Sequence, residues 1–104
     1  MAWLFLILAG LFEVAWAIGL KYSDGFRNPA ASAFTLSCIV ISFFLLSLAL
    51  RSLPLGSAYS IWVGIGAIGS ALAGILLFGE HLSLVKLLSL GFIVVGVVGM
   101  KLAT

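Results

Sequence analysis

WLFLILAGLFEVAWAIGL, from Trp3 to Leu20, is an apolar stretch interrupted by a single ionisable residue, Glu13. A helix rising ~1.5 Å per residue crosses a ~30 Å hydrocarbon core in about 20 residues, so this stretch is long enough to span a bilayer. Three similar blocks follow: Ala30 to Leu50, Leu55 to Phe78, and Leu84 to Leu102. An unpaired backbone amide in hydrocarbon costs several kcal/mol, and the blocks lack the ~10-residue alternation of barrel strands. Each block therefore reads as a helix. The expectation is an all-α chain, a single four-span transmembrane domain over residues 1–104 with helices at about 3–20, 30–50, 55–78 and 84–102.

Composition agrees. The 104 residues are 64% hydrophobic and 8% charged, too few ionic side chains to cover a water-soluble globule of this size. The longest polar stretch, Lys21 to Pro29, leaves no room for a soluble domain, so any chemistry is expected inside the membrane. The net charge of +2 does not suggest a nucleic-acid partner, because the basic residues stand at span ends, where lysine and arginine snorkel to headgroups. Ala15-Trp16-Ala17 has the small-x-small form of a cleavage site. Without a basic segment before Trp3, and with Glu13 inside the apolar run, the first span is expected to stay in the mature protein. Cys38 is alone and pairs with nothing in the chain; His81 has no companions for a metal site. No cofactor is expected, and no nucleophile triad or phosphate-cradling loop is present.

Short connections at Lys21–Pro29, Arg51–Pro54 and Gly79–Ser83 make consecutive helices antiparallel neighbours. Asn28 before Pro29 and Ser83 before Leu84 are expected N-caps. One membrane face then carries Lys21, Arg27 and Lys86, and the other Arg51 and Lys101. A difference of one basic residue gives the insertion machinery little to read, which predicts dual topology. Copies inserted both ways can pair about a two-fold axis in the membrane plane, as transporters built from inverted repeats do, giving an antiparallel homodimer.

Asp24 and Glu80 fall in loops, leaving Glu13 as the one acid within a span. Ten residues after Trp3, or about 15 Å of rise, it stands near mid-bilayer, where charged groups are costly and usually functional. The alternative is a protonated Glu13 that only bonds a neighbouring helix. Gly10 and Trp16 share its helical face, and an indole there serves either as a cation surface or as packing. In the third span Tyr59, Trp62, Gly66, Gly69 and Ala73 line up at intervals of three and four. Gly66, Ser70 and Gly74 form a small-xxx-small track suited to close helix contact. Gly64, Gly66 and Gly69 also mark a hinge candidate, although packing is the preferred reading of the glycines. Ser42 is near mid-span in the second helix; its hydroxyl either orients Glu13 or, as is commoner, bonds its own helix backbone. Phe43, Phe44 and Leu46 are candidates for a lipid-side portal.

The segments AGLFEVAWAIGLKY (Ala9–Tyr22), LPLGSAYSIWVGIG (Leu53–Gly66) and Gly99-Met100-Lys101 resemble the small multidrug resistance transporters over essentially the whole chain. Trp16, where multidrug members typically carry glycine, and Lys101 resemble the guanidinium-exporter subtype; Ser60, where alanine is expected, is a small departure. The resemblance implies that Glu13 is a shared proton and substrate site lined by Gly10, Trp16, Ser42, Tyr59 and Trp62. It implies an antiparallel dimer in which the fourth helix is prominent.

The resulting expectation is a proton-coupled antiporter that exports guanidinium or a small substituted guanidinium from the inner membrane of a prokaryote. It would be a transporter and not an enzyme. Guanidinium is planar and presents paired N–H donors that fit a carboxylate bidentately. The nearest alternative is a polyspecific exporter of hydrophobic quaternary ammonium compounds on the same scaffold. A remoter one is a non-transporting membrane assembly subunit.

Overall fold

The computed structural model describes residues 1–104 and consists of four α-helices and their turns, with no strand: α1 Ala2–Tyr22, α2 Pro29–Ala49, α3 Leu55–Phe78 and α4 Leu84–Leu102. All four are long and apolar enough to cross a membrane. The caps form as the sequence suggests. Asn28 Oδ1 accepts from the Ala31 amide at 3.2 Å, with Pro29 in the first turn, and Ser83 Oγ accepts from the Lys86 amide at 3.1 Å. Gly79 closes α3 with φ +64°, a left-handed cap that glycine adopts without a Cβ clash. The turn after α1 is held by buried Ser23, whose hydroxyl donates to the Leu20 carbonyl at 2.6 Å and accepts from the Phe26 amide at 3.2 Å.

The helices form a slab, 40 × 35 × 16 Å, rather than a closed bundle. α1 packs against both α2 and α3, whereas the backbone of α4 leans on α3 alone. No residue of α4 is buried. Small residues set these distances. Gly19 of α1 receives Phe34 and Thr35 of α2, and Gly64 of α3 receives Val97 of α4. The buried core gathers Leu6, Ala9, Ala49, Ala58, Ile61 and Trp62 at the end that carries the termini. Elsewhere the surface is apolar, as lipid requires and water would not allow.

Candidate functional site

Glu13 sits in the contact between α1 and α3, where three side chains fill three glycine notches. Ile65 of α3 covers Gly10, so that a Cβ at Gly10 would come 2.6 Å from Ile65 Cγ2. The Glu13 carboxyl group occupies the space a Gly66 Cβ would need, and Val14 does the same at Gly69. Helical spacing explains the pattern: residues 10, 13 and 14 share one side of α1, and 66 and 69 share one side of α3. With a side chain at position 66, the carboxyl group could not lie against this helix.

Ser42, Trp62 and Ala9 form a clamp on the turn that carries Glu13. Buried Ser42 donates its hydroxyl to the Ala9 carbonyl at 2.7 Å. The Trp62 indole N–H is shared between Ser42 Oγ at 3.1 Å and the Ala9 carbonyl at 3.3 Å. In an α-helix that same carbonyl receives the amide of the residue four positions on, here Glu13. Three helices thus meet at one main-chain oxygen. The expectation that Ser42 bonds its own helix is corrected, and the structure does not join Ser42 to the Glu13 carboxylate either. Small Ala9 and Gly10 leave the α1 backbone uncovered, so a hydroxyl from α2 can reach it. Ser32, Thr35, Ser37 and Ser89 do follow the own-helix pattern, each donating to the carbonyl four residues back. The Ala9 carbonyl is the member of the site that sequence reasoning missed; the Ala9-Gly10 pair was its only signal.

The aromatic residues divide into two groups. Tyr59 and Phe43 each place a ring 5.5 Å from Trp62, Phe43 edge-on, which ties one expected portal residue to the expected lining. Phe43 and Phe44 are exposed to the lipid side, while Leu46 is partly buried against the core and so departs from the portal expectation. At about 100° per residue, Phe43 and Leu46 lie about 60° apart but Phe44 and Leu46 about 160°, so the three do not present one face. Trp16, one turn beyond Glu13, has its indole nitrogen buried with no hydrogen-bond partner. Such a donor in an apolar setting costs about 1–3 kcal/mol until an acceptor reaches it.

The cavities of the single chain lie apart from Glu13. The largest, about 520 Å³, opens between α3 and α4 and takes Tyr59, Ser60 and Gly64 into its wall. The three hinge candidates also separate, since Gly64 faces α4 whereas Gly66 and Gly69 face α1, and α3 runs through them as unbroken α-helix.

The sequence model of the Small Multidrug Resistance protein family matches residues 1–93. The chain belongs to that family. Among its relatives, the "Guanidinium exporter" of Yersinia pestis is 55% identical over 104 residues, the whole of both chains. The "Guanidinium exporter" of Citrobacter freundii is 53% identical over 104 residues, covering all of this chain and 99% of the relative. A third of that name, from Salmonella typhimurium strain LT2, is 54% identical over 103 residues, 99% of this chain and 98% of the relative.

This small multidrug resistance protein is a multi-pass integral protein of a bacterial inner membrane. Its relatives are named as exporters, and four membrane-spanning helices suit a transporter. The membrane-buried acid of such a protein, seated in a glycine notch and held by a clamped turn, can accept a proton or pair with an organic cation.

Proposed function

We propose that the chain exports guanidinium or a small substituted guanidinium in exchange for protons, working as an antiparallel homodimer with Glu13 of each copy as the shared site. The observation that carries this reading is the unpartnered carboxylate of Glu13. The hydroxyl of Ser42 and the indole of Trp62 are committed to Ala9, and all five basic residues lie at helix ends or in loops. A carboxylate in a low-dielectric span is costly when bare, so a proton or a cation completes it, and each excludes the other. If only a neutralised site changes its exposure from one side to the other, an inward proton gradient drives the cation out. The two Glu13 residues of a dimer titrate as a coupled pair.

The guanidinium exporters to which the chain is more than half identical support the choice of cation. Gly10, Trp16, Ser42, Tyr59 and Trp62 are read as the wall of the site: Gly10 and Ser42 through the main chain around Glu13, the aromatics as faces for a delocalised cation. The exposed rings of Phe43 and Phe44 favour a secondary reading in which alkyl tails of larger cations are tolerated on the lipid side.

The test is Glu13→Gln in proteoliposomes, with currents from solid-supported membranes for guanidinium against tetraalkylammonium ions. The nearly isosteric amide keeps the fold, so the variant is expected to run as the parent on size exclusion while losing proton-coupled guanidinium current. Coupled current that survives in Glu13→Gln removes the proposal. Tetraalkylammonium currents equal to those of guanidinium would transfer the reading to the polyspecific exporter.

A further inference from the structure

α1 and α4 flank α3 with their backbones apart, joined by the side chains of Trp3 and Lys101, and the gap between them is an open slot of about 470 Å³. Its floor is Ile61 and Ile65 of α3, and its walls are Trp3 and Ile7 of α1 and Val97 and Val98 of α4. An apolar slot of this kind stays dry, so in a membrane it is filled by hydrocarbon. At the mouth, Lys101 extends its ammonium group over the Trp3 ring, 5.4 Å from the centroid. This is the interfacial end of both helices, where lysine and tryptophan anchor to headgroups.

No carboxylate side chain serves Lys101. Of the three acids, Glu13 is mid-span, and Asp24 and Glu80 lie at the opposite end of the helices. The other basic residue at the Lys101 end, Arg51, adds to the positive charge there. A cation poised over an aromatic face at the opening of a hydrocarbon slot, with no acidic side chain nearby, matches a molecule that is anionic at one end and aliphatic at the other.

We propose that the α1–α4 slot is a binding site for an anionic phospholipid, its acyl chain over Ile61 and Ile65 and its phosphate on Lys101. The site is distinct from the contact around Glu13 and does not depend on what the protein transports.

The experiment uses full-length protein in phosphatidylcholine vesicles doped with phosphatidylglycerol that carries a diazirine on one acyl chain, with cross-links mapped by mass spectrometry. Cross-links are expected at Ile7, Ile61 and Val98. One basic residue near an anionic headgroup changes occupancy about fivefold. Lys101→Gln, a change at an exposed helix end, is therefore expected to lower the yield at these residues by that factor. The same diazirine carried on phosphatidylcholine should give a lower yield that Lys101→Gln leaves unchanged. Val98→Trp, which fills the slot, should suppress cross-links from both lipids. Equal yields from the two lipids, or a phosphatidylglycerol yield insensitive to Lys101→Gln, overturn the proposal even if Val98→Trp does not fold. It is equally overturned if the slot residues take no label from either lipid, the result expected where a second copy occupies the slot.

Discussion

Replacing Gly66 or Gly69 of α3 by alanine separates two kinds of close contact that look alike in the sequence. Alanine gains about 0.8–1 kcal/mol of helix propensity over glycine at either position. At Gly66 the new methyl group meets the carboxyl end of Glu13, a side chain with several torsions, which can swing aside at about 0.5–1.5 kcal/mol of rotamer strain. Stability should therefore stay within about 1 kcal/mol of the parent. At Gly69 the methyl group meets a γ-methyl of Val14, a side chain stiff at χ1, and overpacking costs about 1–3 kcal/mol. A net loss of up to about 2 kcal/mol is expected there. Ligand binding should respond in the opposite order. A displaced Glu13 loses one of two bonds to guanidinium, and a hydrogen bond to a charged group contributes about 1.5–3 kcal/mol, so Gly66→Ala weakens binding by about ten- to a hundredfold. Val14 holds no ligand in this scheme, so the folded fraction of Gly69→Ala binds as the parent does. Denaturation followed by circular dichroism gives the stabilities, and tryptophan fluorescence titration gives the affinities. Parent-like guanidinium binding in Gly66→Ala, in a folded protein, would refute the placement of the carboxylate in the Gly66 notch.

Ser42→Ala removes one donor to the Ala9 carbonyl but leaves it the Trp62 indole, so a loss of about 0.6–1.7 kcal/mol is expected in the same denaturation assay. Trp62→Phe should cost more, because a buried anchor shared by three helices is lost, and the double variant should cost less than the sum of the two single ones. Trp16→Gly should admit bulkier cations, read as tetraalkylammonium currents that rise relative to guanidinium; an unchanged profile would count against Trp16 as a selectivity residue. Single cysteines in the Arg51–Pro54 loop should react with impermeant maleimides added to either side of the membrane, and labelling from one side only would exclude dual topology.

The spans and their caps were legible because apolar length and Asn28-Pro29 or Ser83 are local signals. Glu13 was legible because one acid among apolar residues stands out whatever surrounds it. Partners across helices were less so. Periodicity put Gly66 and Gly69 on a common face but could not say that Glu13 and Val14 would fill them. Gly64, two positions and about 200° from Gly66, had to point elsewhere, and α4 receives it. Ser42 was misread because the own-helix bond, which Ser37 makes, needs no neighbour, while the bond to Ala9 needs α1 to come close. The peripheral position of α4 was not readable from a helix apolar on all sides, since such a pattern fits lipid and protein alike.

The clamp on Ala9 grips main chain and leaves the acidic tip ungripped. In the proposed exchange, framework and tip are then mechanically independent: the tip would trade one occupant for another while the three-helix joint stays closed. Shortening it to aspartate would alter reach alone, making the distance between anchor and passenger an adjustable dimension of the machine.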